Sequence, residues 1–140
     1  IYEKECYGFF QKATPTIGLK SFLDHIKLNN NFIRLYILSG GEKKEIKMFL
    51  RKHQLLDYFE DVLASEKNKF NHIRDCNASE NDIFIGDSRN DLKVSLQSGL
   101  KFILFEQYKS LSSFPSQELI NGNVYIRTKN FQTLKNKLFK

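Results

Sequence analysis

Apolar and polar residues alternate along this chain with two different periods. Leu19, Phe22, Leu23 and Ile26 recur at steps of three and four, one face of a helix, and predict a helix over Leu19–Leu28. Phe32–Leu38 (FIRLYIL) is a dense run of β-formers and predicts a strand. The helical step returns with Ile46, Phe49, Leu50 and His53, predicting a helix from Glu42 to Gln54 with those four as its inner stripe. Phe59–Ala64 predicts a short strand, and Phe70–Asp75 a helix. Ile83–Ile85 has the composition of a buried strand, and Asp91–Ser98 predicts a helix closed by Gly99, a residue suited to the left-handed helix cap. Lys101–Glu106 predicts the next strand, Gln107–Ser116 a loop and Val124–Thr128 a last strand. Phe131–Phe139 predicts an amphipathic helix with Phe131, Leu134 and Leu138 inward. At the other end, Tyr2, Cys6, Phe9 and Phe10 share one helical face within residues 1–12, and Ala13–Gly18 (ATPTIG) is a loop.

Strands therefore alternate with helices. That order predicts an α/β fold with a mainly parallel sheet covered on both faces. No repeat or linker divides the chain, and 140 residues suffice for one core without disulfide staples. Composition changes this picture little. Hydrophobic residues are 41%, aromatics 14% and charged residues 27%, all ordinary for a globular chain. Cys6 and Cys76 are far apart and argue against a disulfide framework or a zinc site. No apolar run is long enough to span a membrane and no signal-peptide pattern opens the chain, so the expected location is the cytoplasm.

Charge adds a direction. The net charge is +6, which suits a phosphate-bearing small substrate. It also invites a nucleic-acid partner, but the lysines are scattered and mixed with acids, which argues against one. Nothing in the pattern sets an oligomeric state.

In an open parallel sheet, ligands bind beyond the carboxyl ends of the strands. Three polar groups fall at such places: Ser39-Gly40-Gly41, Lys67-Asn68-Lys69, and Gly86-Asp87-Ser88-Arg89-Asn90-Asp91. The Ser39 hydroxyl with the Gly40 and Gly41 amides makes an anion site, and a lysine adds a full positive charge to the same anion. Asp87 and Asp91 are hard oxygen ligands four residues apart, able to converge on Mg²⁺. Anion donors beside magnesium imply phosphoryl chemistry. Each residue also has a simpler use: either aspartate as a helix cap, Ser39 as an N-cap, the lysines as solvated surface.

Taken in order, these segments resemble the haloacid dehalogenase (HAD) superfamily. LYILSGG is similar to its second motif, ASEKNKFNHIRD to its third and IFIGDSRNDLKVSLQSGLKFILF to its fourth. The resemblance implies a Rossmann-like three-layer α/β/α core and a phosphatase-type hydrolase acting on a small phosphorylated metabolite. It implies that Ser39, Gly40 and Lys69 bind phosphate, with Lys67 as the alternative lysine. Ser39 and Lys69 become catalytic, and Asp87 and Asp91 hold Mg²⁺. The family's first motif, a strand ending in D-x-D that supplies the attacking aspartate, is not in the sequence. Asp24, the sole aspartate before Ser39, has no second acid two positions on. The resemblance therefore implies that residues 1–12 are the remnant of a cap or linker helix, and 13–140 a core domain without its first strand. It further implies that the nucleophile lies upstream of Ile1, that the chain alone is inactive, and that two strand edges are exposed. The alternative is a catalytically inactive HAD-like binding or regulatory domain.

Overall fold

The computed structural model describes residues 15–29, 33–106 and 124–139. The predicted helical face within residues 1–12 and the loop at Gln107–Ser116 lie outside the described residues. The chain divides into two compact units, Ile1–His72 and Ile73–Lys140.

In the first unit, helix α1 (Leu19–Asn29) buries Phe22, Leu23 and Ile26, three of the four residues whose spacing predicts it. The Tyr58 hydroxyl donates to the Asp24 carboxylate, and the Lys27 ammonium lies 5.3 Å from the Tyr58 ring centre. Strand β1 (Tyr36–Leu38) pairs in parallel with β2 (Asp61–Leu63), in the register Tyr36 to Asp61, Ile37 to Val62 and Leu38 to Leu63. Both strands are shorter than the sequence pattern predicts. Ile33 is exposed, and the ladder reaches only as far as residues with a partner opposite. Phe59 closes a 3₁₀ turn at Leu56–Tyr58 instead of opening a strand. Between the strands, α2 (Lys43–Lys52) buries Ile46 and Leu50, while Phe49 and His53 are only half-buried. The helix stops short of Gln54, which takes a positive φ of 57°. That turn lets the Leu55 N–H reach the Leu50 carbonyl at 2.7 Å and buries Leu55.

Helix α3 (Lys69–Asp75) runs from the first unit into the second. The second unit holds a three-stranded parallel sheet in the order β3 (Ile83–Gly86), β4 (Lys101–Phe105), β5 (Val124–Thr128). Phe102, Ile103, Leu104 and Phe105 of the central strand are all buried, so both of its faces are covered. This is why β4 reads as an unbroken apolar run. Helix α4 (Arg89–Ser98) packs on β3 and β4, and Gly99 ends it in the left-handed conformation at φ 73°. Helix α5 (Phe131–Leu138) packs on β5 through the fully buried Leu134. Phe131 and Leu138, expected inward as well, are half-buried.

All three ladders are parallel, and the fold is α/β. Among the described residues, five strands fall into two sheets, one two-stranded and one three-stranded. Among the described residues, β1 pairs only with β2, and β3 only with β4. No helix among them is long and apolar enough to cross a membrane.

Candidate functional site

In the first unit, the sequence-predicted anion residues sit at the carboxyl ends of two neighbouring strands. The Ser39 N–H donates to the Leu63 carbonyl at 2.9 Å, and the Ser65 N–H to the Gly41 carbonyl at 3.0 Å. The turns that follow β1 and β2 are thereby tied together. Ser39 is not a helix cap: the N-cap of α2 is Glu42, which makes no side-chain cap bond. The Ser39 Oγ instead accepts the Gly41 N–H at 3.0 Å, which fixes the hydroxyl and leaves its proton available to donate. At Gly40 a Cβ would meet no atom within 4 Å, so the space before its backbone is open.

Lys69 is half-buried at the first position of α3, whose first turn is closed by the Asn71 N–H donating to the Asn68 Oδ1 at 2.8 Å. Lys67 is exposed in the preceding turn. Both lysines therefore follow β2, beside the Ser39 turn.

The second unit carries the acid pair. Asp91 is only 5% exposed, a heavy desolvation for a carboxylate. Contacts with Asp87, Ser88 and Gly86 help to hold it. Its Oδ2 accepts the Asp87 N–H at 3.2 Å, and its own N–H donates to the Ser88 Oγ at 3.1 Å. The third contact is with Gly86: a Cβ built there would lie 2.6 Å from the Asp91 Cβ and 2.7 Å from its Oδ2. Gly86 has no positive φ, so it is crowding by Asp91, not backbone conformation, that demands a glycine. Ser88 is the N-cap of α4, which removes the simpler reading that Asp87 or Asp91 serves as the cap. Asp87 is half-buried at the strand tip, and its carboxylate has no hydrogen-bond or ion-pair partner among the described residues.

Two carboxylates, one locked and one free to turn, form a hard-oxygen donor set that fits a magnesium ion completed by water and phosphate oxygens. Among the described residues no group of three or more His, Cys, Asp or Glu side chains gathers as a metal cage.

This arrangement fits the GDSRND segment as a loop built around its two acids. The pattern of haloacid dehalogenase-like hydrolases matches residues 2–105. The chain belongs to that family. Solved structures share the HAD fold. A protein assigned as a phosphatase from Clostridium difficile superposes with a TM-score of 0.76 at 19% identity, covering 93% of this chain and 63% of that one. A HAD-superfamily hydrolase of subfamily IA from Geobacter sulfurreducens gives 0.70 at 15% identity, covering 94% and 65%. The Bacillus subtilis HAD hydrolase YfnB, solved bound to magnesium, gives 0.70 at 19% identity, covering 88% and 55%. The chain thus spans less than two thirds of the length of these HAD relatives. No curated protein matches it significantly.

Sequence reasoning missed two features of this HAD chain. The Gly86–Asp91 contact carries only a weak signal, Ser88 three residues before an acid, as in a capping box. The second is a buried histidine, His72, 4% exposed, which a lone position in a helix does not announce.

Proposed function

We propose that this chain is the greater part of the core of a Mg²⁺-dependent phosphatase acting on a small phosphomonoester. The observation that supports this most is the buried Asp91 carboxylate, locked by Gly86, Ser88 and the Asp87 N–H beside a second, unpaired acid. Burying a carboxylate is costly, and a divalent cation placed against it lowers that cost.

In this reading Asp87 and Asp91 hold the metal. When bound, Mg²⁺ neutralises phosphate oxygens as charge builds on them. Ser39 donates its hydroxyl hydrogen to the phosphoryl group, the Gly40 backbone lies open to it, and Lys69, with Lys67 as the alternative, adds positive charge. The attacking carboxylate belongs to an aspartate in a strand that precedes Ile1. Its oxygen bonds to phosphorus, the ester P–O bond breaks, and the alcohol leaves with a proton from a neighbouring acid. Water then attacks the phosphorus of the aspartyl-phosphate and releases inorganic phosphate. Residues 1–12 would be the end of a cap or linker helix, and 13–140 the core.

The test is hydrolysis of p-nitrophenyl phosphate with Mg²⁺. The 140-residue chain should be inactive. A chain extended by a D-x-D strand should turn over and lose roughly 10²-fold or more in Asp87→Asn. Lys69→Ala should be more damaging than Lys67→Ala. Robust turnover by the 140-residue chain, abolished in Asp87→Asn, would show that the nucleophile is not upstream.

A further inference from the structure

His72 takes no part in the chemistry above, yet among the described residues it is the most enclosed titratable side chain of the first unit, 4% exposed. Its Nε2 lies 2.7 Å from the Ala64 carbonyl oxygen. A carbonyl can only accept, so Nε2 carries the hydrogen. The same oxygen accepts the Lys67 N–H at 3.4 Å. Ala64 is fully buried at the end of β2, and its N–H donates to the Glu66 Oε1 at 3.3 Å. That Oε1 lies 3.6 Å from the His72 Nε2 and 3.7 Å from the Lys43 ammonium, which is also 3.7 Å from Asp61. One backbone unit, Ala64, thus anchors the start of the turn that carries Lys67 and Lys69, and His72 grips it from the helix that ends that turn.

We infer that His72 is a positioning residue: its Nε2–H bond to the Ala64 carbonyl sets the geometry of the Lys67–Lys69 segment for an anion. The inference rests on the phosphate reading of that segment. The imidazole contacts no ligand in this account. It acts because its hydrogen bond ties α3 to the carbonyl at the end of β2 across the turn. The polar chain Asp61–Lys43–Glu66–His72 supports the turn from the α2 side.

The experiment uses the ¹⁵N-labelled chain, titrated with inorganic phosphate in the presence of Mg²⁺, with amide exchange followed in parallel. His72→Phe keeps the volume and loses the donor. It should weaken phosphate binding about tenfold or more, the size typical of residues that orient a ligating group. It should speed exchange at Ser65–Lys69 without matching change at Phe22, Leu23 and Ile26 of α1. His72→Gln, which restores an N–H donor, should recover most of both. Unchanged phosphate affinity in His72→Phe, no rescue by glutamine, or equal acceleration of exchange throughout α1 would each overturn the inference. If wild type binds phosphate and Lys67→Ala/Lys69→Ala does not, the site reading stands whatever His72 does. If wild type does not bind phosphate, the site reading falls and this role with it.

Discussion

Replacing Gly86 by alanine isolates the contact that shapes the acid pair. The added Cβ would stand 2.6, 2.7 and 2.9 Å from the Cβ, Oδ2 and Cγ of Asp91. Ordinary carbon contacts are about 3.5–4.0 Å, so Asp91 or β3 must yield by roughly an ångström. Asp91 cannot swing away cheaply, because its N–H is held by Ser88 and its Oδ2 by the Asp87 N–H. Overpacking of this kind typically destabilises by about 1–3 kcal/mol. Urea unfolding of Gly86→Ala should therefore show a loss in that range. The decisive measurement is the same substitution in an Asp91→Gly background, where all three contacting atoms are gone. Gly86 has no positive φ, so alanine there should then be neutral or stabilising by about 0.4–1 kcal/mol through the unfolded state. The sign of the effect should invert. A Gly86→Ala loss that persists unchanged in Asp91→Gly would refute the contact as its cause, as would a single variant indistinguishable from wild type.

Two further outcomes follow from local geometry. Ser88→Ala removes the acceptor for the Asp91 N–H and should reduce stability by about 1 kcal/mol in the same unfolding assay, the usual value of an N-cap. Glu66 titrates below the usual glutamate range, because its own N–H and that of Ala64, with Lys43 and His72, favour the carboxylate against partial desolvation. A lowered folded value means its contribution is present above the ordinary glutamate pKa and is lost as the pH falls through the lowered one. Unfolding midpoints measured from pH 7 to pH 3 should fall less steeply in Glu66→Gln than in wild type; parallel curves would contradict this.

The sequence is most legible where one requirement acts alone. The β4 run is uniformly apolar because both faces are covered, and Gly99 closes α4 because the left-handed cap excludes most other residues. Legibility fails where a partner decides. Nothing in FIRLYIL says that pairing begins only at Tyr36, since the limit is set by the three residues of β2 opposite. The helix start at Arg89 was hidden by the acids around it, with Ser88 as the true cap. Asp87, Asp91, Ser39 and the lysines stand out in the sequence as a chemical set, because hard acids and anion donors at strand ends have few other joint uses, and their shared role is the one proposed above. His72 was not, because its value lies in a carbonyl eight residues away that no side-chain pattern reports.

The parallel ladders carry a last consequence, for how the chain reaches this structure. Ile83 pairs with Lys101 and Phe102 with Val124, so no ladder can start from a tight turn between adjacent strands. Every pairing must first close a long stretch of chain, and the entropy of that closure is lost before any ladder bond forms. Such a topology folds more slowly than a bundle or a hairpin of equal length. The segment from β3 through α4 to β4 is the shortest closure in its sheet. It is therefore the natural place for assembly to begin, and Asp87 and Asp91 lie inside it. The acid pair would then be organised early, as a by-product of the first successful crossover.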